Sequence, residues 1–250
     1  MGTLTVCCPC LFGLESVLSG EIKRMGGQNI QTTDGKVTFE GDFSMVIRAN
    51  IYLRTAERVL IVLGSFPART FTELFDGTVK LPFEDFIGSM DAFPVKGWSL
   101  NSQLHSVPDC QSIVKKAAVK RLGEMYRKCW FEESGPARQI QFSILKDQAT
   151  IMLDTSGAPL HKRGYRQVST LAPIKETLAA GIIDLAHVRR DTVVMDPFCG
   201  SGTFLIESAM HAMKIAPGMR RPFAAERWGI VPEERWTEIR KEAHAGIYRD

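Results

Sequence analysis

No uninterrupted apolar stretch in the sequence comes close to the roughly 18 residues that a membrane-spanning helix requires, so no membrane anchor is expected. The opening Met1-Gly2-Thr3-Leu4 has neither the basic region nor the long apolar core of a secretory leader, which makes the cytoplasm the default location. Cysteine is sparse and unevenly placed. Of six in 250 residues, Cys7, Cys8 and Cys10 crowd one apolar run, and Cys110, Cys129 and Cys199 stand alone. A disulfide framework belongs to short secreted chains. Cys7-x-x-Cys10 is half of a zinc site, and no second Cys-x-x-Cys or His-x-His completes it, so small buried thiols on a strand are the plainer reading and no metal is expected. The charge is also nearly balanced. Thirty-one Lys and Arg against 28 Asp and Glu leave +3, so a nucleic-acid partner would have to be met by a local patch. With 44% hydrophobic and 24% charged residues, no internal repeat and no low-complexity tract, the chain is globular and long enough for one large domain or two ordinary ones.

The first half alternates strand and helix patterns. Leu4–Cys8 is β-prone. Leu14, Val17, Leu18, Ile22 and Met25 recur at helical spacing up to Gly26-Gly27. Lys36–Glu40 alternates like a half-buried strand, Asp42 suits the N-cap of a helix through Leu53, and Arg58–Phe66 is a further strand. That order suggests a ferredoxin-like α+β unit. A second cluster places helical turns at Phe71–Phe75 and Phe83–Met90, a strand at Trp98–Leu104, and a long helix from Asp109 to Lys128. Strands Ile140–Leu145 and Thr150–Leu153 follow, joined by the turn Lys146-Asp147-Gln148. After Asp154 the composition changes, marking a domain junction through His161–Arg166. A helix is expected from about Pro173 to His187, a strand at Thr192–Met195, a helix after Gly202, and another over Glu233–Ala245. One strand cannot make a sheet. The last region therefore reads as the start of an α/β domain whose remainder lies outside these residues.

Val194–Glu207 carries the most chemical information: an apolar strand, Asp196 at its end, a glycine-rich turn and an amphipathic helix. Gly200 and Gly202 remove side chains where backbone N–H groups could approach a ligand, and the helix start favours an anionic group. A phosphate-binding P-loop would need Gly-Lys-Ser/Thr, and no lysine is present. The dinucleotide fingerprint would need a glycine where Leu205 stands, and a Gly-x-Ser-x-Gly elbow is absent because Ser201 sits directly between two glycines. A tight strand-to-helix turn without a ligand is the remaining alternative.

Asp196-Pro-Phe-Cys-Gly-Ser-Gly-Thr-Phe-Leu-Ile-Glu207 resembles motif I of the class I S-adenosylmethionine-dependent RNA methyltransferases that carry a THUMP domain, in particular the bacterial N2-guanine enzymes acting on ribosomal RNA. Phe12-Gly-Leu-Glu15, Arg48–Arg58, Val114–Val119, Leu160–Arg166 and Ala172–Ala180 are similar to further segments of that family. The resemblance implies a ferredoxin-like subdomain over 1–68, a THUMP RNA-binding domain over 69–158, and the start of a Rossmann-like methyltransferase domain over 159–250. The fold class is thus an α+β N-terminal region followed by an incomplete α/β domain. It also implies S-adenosyl-L-methionine as cofactor, held by Asp196, Pro197, Phe198, Cys199, Gly200, Ser201, Gly202 and Thr203, with Glu176 and Thr177 on the preceding helix as secondary candidates; Glu207 is read as positioning the helix. The family's Asn/Asp-Pro-Pro-Tyr motif, which holds the target amine, has no counterpart here, since no Pro-Pro occurs in the chain. The catalytic residues are therefore expected beyond residue 250.

Lys115, Lys116, Lys120, Arg121, Arg127 and Lys128 face only Glu124 within their helix, and with Lys162, Arg163 and Arg166 they are the candidate RNA contacts. An ordinary solvated helix face is the alternative for the first group, and pinning two domains together is the alternative for the second. The expected partner is RNA, ribosomal first and transfer RNA second. A non-catalytic RNA-binding module, or methyl transfer to a non-RNA substrate, is the competing function.

Overall fold

The computed structural model describes residues 2–166 and 173–248. Strand β1 (Leu4–Pro9) leads to helix α1 (Glu15–Met25), strands β2 (Gln28–Thr33) and β3 (Lys36–Gly41), helix α2 (Phe43–Tyr52) and strand β4 (Leu60–Pro67). Helix α3 (Phe71–Val79), strand β5 (Val95–Leu100), helix α4 (Val107–Tyr126) and strands β6 (Ile140–Leu145) and β7 (Gln148–Asp154) follow. Helices α5 (Glu176–Leu185), α6 (Thr203–Ala212) and α7 (Glu233–Ala245) complete the described chain.

Local chemistry explains many of these limits. The Asp42 carboxylate accepts the Met45 N–H at 2.9 Å and caps α2. Gly26 closes α1 at φ 92°. Thr70 and Glu73 form a reciprocal capping box on α3. The β6–β7 turn puts Lys146 and Asp147 both at positive φ, the two-residue geometry that matches strand twist.

All seven strands form one sheet in the order β2-β3-β1-β4-β7-β6-β5. β4 pairs antiparallel with β7, so the ferredoxin-like unit and the segment after it share a continuous hydrogen-bonded ladder. β5 and β6 are parallel, linked through α4. Alternate residues such as Val6, Phe39, Ile61, Phe142 and Ile151 join Leu18, Val46, Leu74, Val114 and Leu122 of the helices in one core, which the period-2 pattern requires of a sheet covered on one face. Cys7, Leu60 and Met152 make a small separate cluster. Burial pushes the Cys7 thiol up to about 11 and the Cys10 thiol up to about 12.

Several sequence expectations shift. The largely exposed strand β2, polar but for Ile30, was not anticipated. The strand expected at Trp98–Leu104 lies at Val95–Leu100, and the helix expected over Phe83–Met90 is a single 3-10 turn, Phe83–Asp85. Ser106, not Asp109, precedes α4; Asp109 sits in its first turn and accepts the Ser106 hydroxyl proton at 2.5 Å. The last-region helix runs from Glu176 rather than Pro173. Thr192–Met195 is not a strand. Its backbone finds no pairing partner among the described residues, and Val193 and Met195 stand 93% and 83% exposed, so neither sheet ladder nor burial holds it extended.

The Glu15 carboxylate accepts the Gly13 and Gly35 N–H groups, each at 2.9 Å, and so ties the β2–β3 turn to the start of α1. These donors, Gly35 first, hold Glu15 below its ordinary carboxylate value. A depressed carboxylate contributes stability that is present above its unfolded value of 4.5 and is lost as pH falls through the folded one. Glu15→Gln is therefore expected to flatten the acid side of a plot of urea midpoint against pH below about 4.5. An unchanged acid limb would remove Glu15 from the pH response.

Candidate functional site: the glycine turn and its anchors

The turn before α6 brings Asp196 through Thr203 together. Asp196 Oδ1 accepts the Phe198 N–H at 3.0 Å, and the Gly202 N–H donates to the Cys199 carbonyl at 2.7 Å, which closes the loop on itself. Gly200 and Gly202 hold φ of 52° and 70°, in the left-handed region that disfavours a side chain. A Cβ at either position would stand in open space, its nearest neighbours being Phe198 O and Ile206 Cδ1 at 4.0 Å. A ligand could therefore rest on bare backbone there. Gly202 is the N-cap of α6 and supplies no side-chain acceptor, so the first-turn N–H groups and the positive end of the helix dipole are left for an anionic group such as a carboxylate. Pro197, Phe198 and Cys199 are at the mouth of the turn, Phe198 exposed by 93%.

A chain of side chains fixes this turn from behind. Arg166 Nη2 donates to Thr203 Oγ1 at 2.8 Å and to the Ile174 carbonyl at 3.0 Å, while Nη1 lies 3.4 Å from Glu176 Oε1. The two hydroxyls of Thr203 and Ser201 are 3.1 Å apart. A guanidinium can only donate, so the Thr203 oxygen accepts from Arg166 and can pass its own proton to Ser201. That arrangement leaves the Ser201 O–H to donate outward into the turn. Deeper in, Arg163 and Glu207 form a fully buried ion pair at 3.2 Å; Tyr165 donates to Glu207 at 2.8 Å and Arg163 Nη2 to the Arg54 carbonyl at 2.6 Å. Arg54 Nη2 in turn donates to the carbonyls of Met210, in the last turn of α6, and Ile215, just beyond it.

These contacts correct four expectations. Arg163 is buried and ion-paired inside the protein, so it cannot reach RNA phosphates, and Arg166 is spent on α5 and α6; both pin the two regions together. Thr177 is buried and gives its only proton to Glu57 Oε1 at 2.6 Å, away from the glycine turn. Glu176 is buried against Arg166 and presents no solvent-facing oxygen to a cofactor. Lys162 keeps its place as a candidate, since its side chain is not drawn into the network. On α4 the cations divide. Lys115 pairs with Glu133 at 2.5 Å and Arg121 is held by both oxygens of Glu84, so part of their charge is met within the protein, while Lys116, Lys120, Arg127 and Lys128 reach solvent. Sequence reasoning ranks such arginines by charge alone; the only advance signal was that Arg163 and Arg166 lie in a junction with aromatic and glycine neighbours. The anchoring role of Arg54 was missed altogether. Among the described residues no three His, Cys, Asp or Glu side chains converge to hold a metal ion, and no helix is long and apolar enough to cross a membrane.

Comparison with known proteins agrees with this arrangement. Residues 5–60 match the RlmL ferredoxin-like domain, 68–154 the THUMP domain, and 163–249 the RMKL-like methyltransferase domain. The chain is 46% identical over 232 residues to the Bacillus subtilis (strain 168) protein YpsC, covering 92% of this chain and 60% of YpsC. It is 36% identical over 241 residues to the ribosomal RNA large subunit methyltransferase K/L of Psychromonas ingrahamii, covering 94% of this chain and 32% of that protein. The structure of SMU.472, solved in complex with SAH, superposes with a TM-score of 0.94 at 43% identity over 100% of this chain and 66% of its own. The chain thus spans about three fifths of YpsC and a third of the K/L protein. Its residues match, in order along the chain, an RlmL-type ferredoxin-like domain, a THUMP domain and an RMKL-like methyltransferase domain.

Proposed function

We propose that this chain is the RNA-selecting part and the cofactor turn of a cytoplasmic enzyme that methylates the exocyclic N2 amine of a guanine in ribosomal RNA, with S-adenosylmethionine as donor. The observation that carries the reading is the pair of left-handed glycines at the uncapped start of α6, backed by a buried network that ties the turn to the THUMP-bearing sheet. The K/L relative is named for ribosomal RNA, and the related SMU.472 structure holds SAH, the demethylated product of the proposed donor.

The cofactor, when bound, supplies an electrophilic methyl group. The residues present would hold it: backbone N–H groups of the turn at its carboxylate, Ser201 as a further donor, and Asp196 at the start of the turn. Their contribution is orientation and exclusion of water, since N-methylation of an amine needs no covalent enzyme intermediate. The target base has to leave its stack before its amine can be reached.

The test uses the full-length protein with isotopically methyl-labelled S-adenosylmethionine and, separately, ribosomal RNA and transfer RNA from cells lacking the gene. Nucleoside mass spectrometry should find label in N2-methylguanosine from ribosomal RNA. Label confined to transfer RNA would move the substrate assignment. Tight cofactor binding without transfer to either RNA would sink the RNA reading.

A further inference from the structure

We infer that Trp130 is a base-stacking residue of the RNA-binding surface, the place where single-stranded RNA following the basic face of α4 sets down an unpaired base. This rests on the RNA reading above and adds to it a residue and a preferred form of RNA. Of the four tryptophans, Trp228 and Trp236 are buried and Trp98 is half exposed, whereas Trp130 is 72% exposed. Leaving so large an apolar ring in water forgoes the burial that normally places tryptophan in a core.

Trp130 is also not on a loose segment. Just before it, Arg127 adopts the left-handed conformation that ends α4, and the Lys128 N–H donates to the Gly123 carbonyl at 3.1 Å. Just after it, Phe131 is buried edge-on against Phe93, with ring centroids 5.5 Å apart. Glu133 then accepts the Phe93 N–H at 3.0 Å and pairs with Lys115. The indole is thus presented outward by backbone anchored on both sides, so little ordering entropy remains to be lost when a planar partner stacks on it.

The charges around it select the partner. Lys116, Lys120 and Arg127 recur at helical spacing along one side of α4 and its end, a rise of about 16 Å, and Lys128 lies two residues before Trp130. Lys115 and Arg121, on other sides of the same helix, are neutralised by Glu133 and Glu84. Counting Glu124 and Glu132 against these four cations leaves a surplus of two (four minus two) beside an open aromatic face. Cations for phosphates and a π-face for a base together describe a single-stranded nucleic acid, because a base inside a duplex has no free face to offer.

The experiment compares full-length wild type, Trp130→Ala, Trp130→Phe and Lys116→Glu/Lys120→Glu. The probes are a fluorescein-labelled 12-nucleotide mixed-sequence RNA and the same RNA annealed to its complement, over a salt series. Trp130→Ala should weaken single-strand binding about 5- to 150-fold. It should leave the slope against log salt unchanged and shrink the preference for single over double strand, while Trp130→Phe keeps most of the affinity. The charge-reversed pair should instead flatten the slope by about 0.7 for each phosphate no longer neutralised. Wild-type affinity and strand preference in Trp130→Ala would overturn the inference and leave the RNA reading standing; they would point to a protein partner for this ring. Absence of RNA binding by the wild type would overturn both.

Discussion

Glu207→Ala is expected to destabilise the full-length protein by about 3–5 kcal/mol, the cost of stranding one member of a buried ion pair. Arg163 and Glu207 side chains are 1% and 0% exposed. Removing the carboxylate leaves the guanidinium facing Arg54 and Arg221 without its counter-charge, and strips the Tyr165 hydroxyl of its acceptor. Urea unfolding should show a lower midpoint. Replacing both partners, Arg163→Met with Glu207→Leu, should recover most of the loss, because an apolar pair of similar volume avoids desolvating charge. A single variant as stable as wild type would mean that the pair is not buried in solution.

The second large effect is on the ligand. Gly202→Val should weaken S-adenosylmethionine binding by about 100-fold or more, equivalent to roughly 2.7 kcal/mol, with only a modest fall in stability. At φ 70° a β-branched residue is strained by about 1–2 kcal/mol. Its Cβ meets nothing nearer than Ile206 at 4.0 Å, so the fold can accept it. The γ-carbons, however, occupy the open space where a ligand would lie. Any relaxation of the backbone also pulls Gly202 from the Cys199 carbonyl and turns Ser201 away. Calorimetric titration showing unchanged affinity would take this turn out of the site.

What could be read from the sequence was local. Asp42, Gly26 and the Lys146-Asp147 turn announce themselves because a cap or a tight turn demands those residue types at that spot. The glycine turn was legible for the same reason. β2 was not, because an exposed edge strand such as Gln28–Thr33 needs no apolar alternation to mark it. The pairing of β4 with β7 joins residues 81 to 94 positions apart, and no local pattern encodes a non-local ladder. The roles of Arg163, Arg166 and Thr177 were misjudged because charge and polarity are visible in a sequence while burial is not. Thr192–Met195 has the composition of a strand, but among the described residues it has neither the pairing nor the burial that would hold it extended.

The same β4–β7 ladder has a bearing on synthesis. β4 is an edge strand until β7 arrives, and its last residue, Pro67, meets the first residue of β7, Gln148, across a gap of 81 positions. At about 5–20 residues per second the ribosome needs roughly 4–17 s to make the stretch from Pro67 to Asp154. Throughout that interval the ferredoxin-like unit carries an unpaired strand rich in Leu, Ile and Val, the kind of edge that recruits strands from neighbouring chains. The nascent chain must therefore be kept from its neighbours on a crowded polysome. The rate of synthesis across residues 68–154 then sets how long that edge stays open.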